Sequence, residues 1–404
     1  MATLDFRKVM TPTIIVLALG YVVDAFDLLL FNMIRLPSLT ELGYSGDALT
    51  KAGIYIINCQ MVGVLLGGIL FGILGDKIGR KNAVLGSIIL YSIATLGCAF
   101  VQNADQFAFA CFIKAIGLAG EIGLGVTLIT EALPKDQRGL GVGIFTLGAF
   151  VGIFLASVLA GFIDWRMCHI IAGIAGLLIL VVRSLVIESG LYEKIKNSTV
   201  ERGNFLQLFR NPKSIIRYAA CVFILFPYFF VTTILLTLSP EIAKAKGIAE
   251  PVMANVALML GLGFGGIADI IGTILCQIRK NRKQVLGLFM VVNFIVALIY
   301  IFAPYTSITV FYGLCVLLGL SNFFVLMLMM TAEQFGTNLR ATASTSSLSA
   351  GRATVILSNI IFVWLKPLGT VEAVGIMTVA LFAIGFLCLS QLKESFSREM
   401  DFTE

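Results

Sequence analysis

The chain has 404 residues, 58% of them hydrophobic and 13% charged, with a formal net charge of +6, whereas soluble proteins carry about a quarter charged residues. A water-soluble enzyme is excluded, and so is a separate soluble catalytic domain, because twelve spans would take about 240 residues and leave only short connections and tails. The positive charge sits on short loops, where anionic lipid headgroups account for it better than nucleic acid does.

Arg7 and Lys8 precede an apolar run from Ile14. The run is too long for a signal-peptide core and carries no evident cleavage site, so an uncleaved first span is expected. Apolar runs predict helices over 11–36, 52–74, 82–102, 106–132, 139–163 and 168–187. A second set follows over 215–239, 252–276, 284–303, 307–331, 341–366 and 370–392. With the amino terminus inside, twenty of the 29 Lys and Arg residues fall on inner connections and tails and five on outer ones. Arg35, Lys114, Arg183 and Arg352 fall inside spans. This positive-inside bias places both termini in the cytoplasm.

The longest polar stretch, Glu188 to Lys213, divides six helices from six. We therefore expect an N-terminal six-helix half over 1–187, a cytoplasmic linker over 188–213 and a C-terminal six-helix half over 214–404. An internal repeat supports the division. Glu131 to Arg138 leaves helix 4 and Glu333 to Arg340 leaves helix 10, at an offset of 202 residues. Arg80-Lys81 and Arg282-Lys283 recur at the same offset. The expected fold is an all-α membrane protein of twelve transmembrane helices in two pseudo-symmetric, parallel six-helix halves around a central cavity.

Between helices 2 and 3 runs Gly72-Ile-Leu-Gly75-Asp76-Lys77-Ile-Gly79-Arg80-Lys81. Its glycines allow a tight turn and close helix approach, and its acid and bases can clasp neighbouring helix ends. No strand precedes it and no GxxxxGK[ST] is present, so it is not a nucleotide loop. It resembles the cytoplasmic signature G-x-x-x-D-x-x-G-R-[RK] of the major facilitator superfamily. Asp24-Ala-Phe-Asp27 in helix 1, Gly120-Glu121 in helix 4 and the two Glu-to-Arg loops resemble, more narrowly, the branch of aromatic-acid:proton and metabolite:proton symporters. Glu333-Gln-Phe-Gly-Thr337-Asn-Leu-Arg340-Ala-Thr342 follows that branch's E-x-F-P-T-x-x-R-A-T except at Gly336. Aligning on Gly120-Glu121 puts Cys111 where the branch has an arginine, with Lys114 one turn further on. The second counterpart of the Gly-Asp motif is reduced to Gln277-Ile-Arg279-Lys280-Asn281. The resemblance implies the twelve-helix fold, transport by alternating access and no cofactor.

Asp24 and Asp27 lie about 20–24 Å into helix 1 and share a face, so in a low-dielectric cavity they compete for one charge and can hold a proton. Asp27 is taken first as the coupling acid and Asp24 second; the alternative is a permanently paired acid held by Lys114. Lys114 and Glu121, seven residues apart on one face of helix 4, are expected in coupling or in substrate binding, because charges in mid-span usually serve a cavity. Arg352 lies about 18 Å beyond Arg340 along helix 11. Its planar fork suits a carboxylate, with Ser346, Ser349 and Asn359 adding neutral hydrogen bonds; a fixed pair with Asp269 is the alternative. Tyr228 and Asn322 complete the expected substrate site. The expected cytoplasmic gate comprises Gly75, Asp76, Gly79, Arg80, Lys81, Glu131, Arg138, Glu333 and Arg340.

His169, the single histidine, is expected as an interfacial anchor rather than a metal ligand, and no metal site is expected. The eight cysteines sit in apolar runs with no CxxC pair and are read as buried thiols. Gly63-x-x-x-Gly67 and Gly148-x-x-x-Gly152 predict close helix packing. Phe26, Phe31, Tyr228, Phe229 and Phe230 line a pocket or pack the core. The expected function is proton-coupled symport of a small organic anion or zwitterionic metabolite by a functional monomer in the plasma (inner) membrane. The partners are then a small-molecule substrate, protons and the bilayer, with no nucleic acid. Alternatives are proton-coupled efflux of drugs or siderophores, or a non-transporting membrane receptor. The helix 5 run lacks the antiporter signature G-P-x-x-G-G, a receptor would add a soluble signalling domain, and no nucleophile with a base or metal cluster marks an enzyme.

Overall fold

A computed structural model describes residues 11–134, 137–184, 192 and 202–396. Arg7, Lys8, Lys135 and most of the expected linker lie outside the described residues. Twelve helices are long and apolar enough to cross a membrane, and no strand occurs among the described residues. They are α1 (Pro12–Glu41), α2 (Gly46–Ile78), α3 (Arg80–Cys98), α4 (Ala104–Ala132), α5 (Arg138–Phe162) and α6 (Trp165–Arg183). Then come α7 (Pro212–Leu235), α8 (Ala254–Arg279), α9 (Arg282–Phe302), α10 (Ile308–Gln334), α11 (Arg340–Leu365) and α12 (Thr370–Gln391).

Helix starts follow local chemistry. Thr11, Asn103, Asp164, Asn211 and Asn281 each accept a backbone N–H of the first turn they cap, and proline stands at the first positions of α1 and α7. Gly79, at φ +104°, makes the turn between α2 and α3 in a region side-chain-bearing residues rarely enter. Two spans are irregular. α7 passes into a π-helical turn at Phe230–Leu235. α10 is interrupted at residues 321–323 between Ile308–Leu320 and Phe324–Gln334. Such interruptions are tolerated in lipid only where neighbouring groups re-satisfy the backbone.

The described residues fall into two compact units. The first holds those up to Leu208 together with Phe335–Ala350; the second holds Phe209–Gln334 and those from Gly351 onward. The unit boundary therefore falls inside α11. In the first unit α2 packs on α4 and α1 on α5. A Cβ at Gly63 or Gly67 would run into the α4 backbone at Phe112 or Ile116, and one at Gly148 or Gly152 into the α1 backbone at Ala18 or Val22. The expected small-residue contacts are thus made, and they bring backbones together without side chains between them. Phe26 and Phe31 are core residues of this unit, and Phe229 and Phe230 are buried in the other. The cysteines are free, six buried and Cys59 and Cys388 half-buried.

His169 is not an interfacial anchor. It is fully buried, edge-on to the rings of Phe107 (5.7 Å) and Trp165 (6.3 Å). The start of α6 is covered by α4, which sequence position alone does not disclose.

Candidate functional site

Five ionisable side chains meet in the interior of the first unit. Asp27, fully buried, is held on both oxygens: Lys114 Nζ lies 3.2 Å from Oδ1, and the Thr95 hydroxyl donates to Oδ2. Lys114 also donates to the Asp27 carbonyl at 3.3 Å. Of the two readings of Lys114, the one in which it pairs with helix 1 is the one observed. Asp24, one turn earlier, is held more loosely. Arg183 Nη2 stands 4.0 Å from Oδ2, the Tyr91 side chain lies beside it, and neither carboxylate oxygen accepts a hydrogen bond by ordinary geometry. Arg183 Nη1 pairs with Glu121 Oε1, and Nη2 donates to the Leu17 carbonyl at 3.1 Å.

The sequence places Arg183 inside a span without indicating a partner, and in the structure it is the last residue of α6. Its guanidinium lies over Gly20, where a Cβ would occupy the same space. A glycine on helix 1 one turn before Asp24, together with an arginine inside an apolar run, is the signal that was present. The cluster holds three carboxylates (Asp24, Asp27, Glu121) against two cations (Lys114, Arg183), one negative charge in excess. Unpaired charge in a low-dielectric interior is costly, so one more positive charge, a proton or a cationic group, balances the site.

A second constellation joins α2, α3 and α4 to the start of α11. Asp76 Oδ1 and Oδ2 accept the backbone N–H groups of Ala341 (3.2 Å) and Thr342 (2.7 Å), capping the positive end of α11. Arg80 pairs with Asp76 at 3.2 Å and with Glu131 at 3.1 Å, and donates to the carbonyls of Thr337 (2.7 Å) and Gly75 (3.2 Å). Arg340 completes it at 2.6 Å from Glu131 Oε1. Asp76, Arg80 and Arg340 are fully buried and Glu131 nearly so. Gly72 faces Thr342 and Gly75 faces Ala341, close enough that a Cβ would crowd α11. Lys81 is half-buried. Arg138, nearly buried, donates to the Leu133 carbonyl at 3.2 Å.

The second unit repeats half of this pattern, since Arg282 pairs with Glu333 at 2.7 Å as Arg80 does with Glu131. The expected gate residues are therefore brought together in part. Asp76, Arg80, Glu131 and Arg340 form one latch, and Glu333 belongs to a separate pair.

The expected substrate residues do not form one cluster. Tyr228 and Asn322 line a narrow crevice in the second unit, with Thr232, Gly261, Asn293 and Gly319; the Tyr228 ring stacks on Phe324 at 4.8 Å. Ser349 is buried against Gly68 on α2 in the first unit. Ser346 is buried and donates back to the Thr342 carbonyl at 2.5 Å. Arg352 is half-buried and Asn359 exposed on α11. Asp269 is not ion-paired with Arg352. Its Oδ1 accepts from Asn322 Nδ2 and from the Val325 N–H, each at 3.3 Å. Among the described residues no group of three metal-ligating side chains occurs.

The family model of the Major Facilitator Superfamily matches residues 17–358. The chain is 24% identical over 387 residues to a probable 4-methylmuconolactone transporter of Cupriavidus pinatubonensis, covering 93% of this chain and 89% of that one. It is 27% identical over 332 residues to the sialic acid transporter NanX of Escherichia coli, covering 78% and 77%. The solved structure of the proton:xylose symporter XylE bound to 6-bromo-6-deoxy-D-glucose has the same fold, with a TM-score of 0.74 at 16% identity over 98% of each chain.

Proposed function

This chain belongs to the Major Facilitator Superfamily, and from that membership we propose that it is a proton-coupled symporter of a small organic acid. The family and its transporter relatives make it a multi-pass membrane transporter rather than an enzyme. A carboxylate-bearing substrate is supported by the relatives named as a probable 4-methylmuconolactone transporter and a sialic acid transporter, and by Arg352, a guanidinium within a spanning helix. The basic-residue bias supports cytoplasmic termini and insertion in the plasma (inner) membrane. We assign the two six-helix halves to alternating access by a monomer, with the latch at the start of α11 as its cytoplasmic gate.

The observation that carries the proton is the charge balance of the first-unit cluster. Asp27 is saturated by Lys114 and Thr95, whereas Asp24 accepts no hydrogen bond of ordinary geometry and sits 4.0 Å from its cation. This favours Asp24 as the carrier and gives Asp27 the task of fixing Lys114. In liposomes, Asp24→Asn should abolish accumulation driven by a pH gradient while substrate counterflow persists, because exchange needs no net proton movement. An Asp24→Asn protein that still concentrates substrate under the gradient defeats the assignment. Arg352→Lys should keep the fold and lose affinity for the anion; unchanged affinity removes Arg352 from the substrate site.

A further inference from the structure

The second unit contains a buried acid that the transport reading does not use. Asp269 stands 10 residues before the end of α8 at Arg279, about 15 Å along the helix axis, and is 4% exposed. Its partners are neutral: the Asn322 amide and the Val325 N–H, at the first turn of the Phe324–Gln334 helix. Asn322 Oδ1 in turn accepts the Phe324 N–H at 3.1 Å. Acid and amide together cap the second half of α10 where the helix is interrupted.

The internal repeat shows that this arrangement has no counterpart in the first unit. At the 202-residue offset, Asp269 corresponds to Gly67 and Asn322 to Gly120. In the first unit those glycines let α2 and α4 pack together, Gly67 against Ile116 and Gly120 against Phe71, and α4 runs unbroken. In the second unit the same two positions carry a carboxylate and an amide, and α10, the helix that carries the amide, is broken. The joint also borders the crevice lined by Tyr228, Asn293 and Asn322. There Asn293 Nδ2 donates to the Leu318 carbonyl (3.0 Å) and to Ser321 Oγ (2.8 Å), while its buried Oδ1 has no partner.

Among the described residues no cation pairs with the acid. The elements packed on α8 are α7, α9, α10 and the short Ser239–Ala245 helix. Among the described residues none of them, nor Arg352 on α11, forms an ion pair with Asp269. Their charged groups stand toward helix ends: Lys213 and Arg217 on α7, Arg282 and Lys283 on α9, Glu333 on α10, and Glu241 and Lys244 on the short helix. The other titratable side chains of these elements are Tyr218, Cys221 and Tyr228 on α7, Tyr300 on α9, Tyr312 and Cys315 on α10, and Cys276 two turns along α8 itself.

We propose that Asp269 is a proton-binding site of the second unit, separate from the Asp24 cluster, and that its charge sets the conformation of the α10 joint. Ionised, it holds the positive end of the Phe324–Gln334 helix and the Asn322 amide. On binding a proton it loses the charge–dipole attraction, the cap loosens, and Asn322 is released toward the crevice it lines. One proton is taken from solvent and no other bond is made or broken.

This extends the proton-coupled reading, but its test needs neither substrate nor transport. In purified full-length protein, infrared difference spectra between acidic and alkaline buffer should contain a protonated-carboxyl band that persists in Asp24→Asn and is lost in Asp269→Asn. Hydrogen exchange, corrected for intrinsic chemistry, should show the Val325–Leu328 amides losing roughly five- to thirtyfold protection in acid, the factor expected when a buried carboxylate leaves a helix N-terminus. Asp269→Asn should abolish that pH dependence and Asp269→Glu should keep it. A wild-type joint whose protection is independent of pH, or an acid-dependent change retained in Asp269→Asn, overturns the proposal even if Asp24 proves to be the coupling acid. Should Asp269→Asn fail to fold, the wild-type exchange and the Asp269→Glu comparison still decide it.

Discussion

Glu131→Gln should unfasten the start of α11. Glu131 Oε1 receives Arg80 at 3.1 Å and Arg340 at 2.6 Å, with all three side chains buried. Glutamine keeps the shape and removes the charge, so two guanidinium groups face the single remaining carboxylate of Asp76. Removing one partner of a buried ion pair costs about 3–5 kcal/mol, and at 1.36 kcal/mol per tenfold this is a shift of about 10²–10⁴ between the fastened and unfastened states. Ser344 is a suitable reporter, being 5% exposed on α11 with its hydroxyl 3.0 Å from that of Thr127. A lone Ser344→Cys on a cysteine-free background should react slowly with a small thiol reagent and at least a hundredfold faster when Glu131→Gln is added. Arg340→Lys, which keeps the charge, should give a smaller increase. An alkylation rate raised less than tenfold by Glu131→Gln would show that the triad does not hold α11, and the reasoning from its burial would fail.

Arg183→Met should lower thermal stability by about 3–5 kcal/mol, because it strands Asp24 and Glu121 without their cation. Adding Asp24→Asn should recover part of the loss in the same melting assay, and additive damage would refute the pairing. Glu394 is held below the usual carboxylate range: burial works against this, but the N–H groups of Lys283, Phe396, Arg282 and Ser395 outweigh it. Its folded-state pKa being depressed, it stabilises the α9 start above the unfolded pKa and loses that contribution as pH falls through the folded one. Glu394→Gln should therefore flatten the acid limb of a melting-temperature profile around the carboxylate range and leave the alkaline limb unchanged; an unaltered acid limb would dismiss the role.

Much of this molecule is determined within the sequence by itself, through signals that act locally or recur. Twelve apolar runs have one solution in lipid, a helix each, since the backbone has no other partner there. The Arg80-Lys81 and Arg282-Lys283 repeat reappears as matched Arg80–Glu131 and Arg282–Glu333 pairs. The pair of Asp27 with Lys114 was open to the sequence only as the alternative to Asp27 as coupling acid, because two charges in apolar helices have few other partners. What only the tertiary structure decided is how distant segments share a charge. Arg183 reaches α1 because Gly20 leaves space for its guanidinium, Asp76 caps a helix 265 positions further along the chain, and α10 breaks beside Asp269 rather than running through as α4 does. The strength of each of these contacts depends on separation, burial and direction. Those are properties of packed helices, and a linear spacing of residues does not contain them.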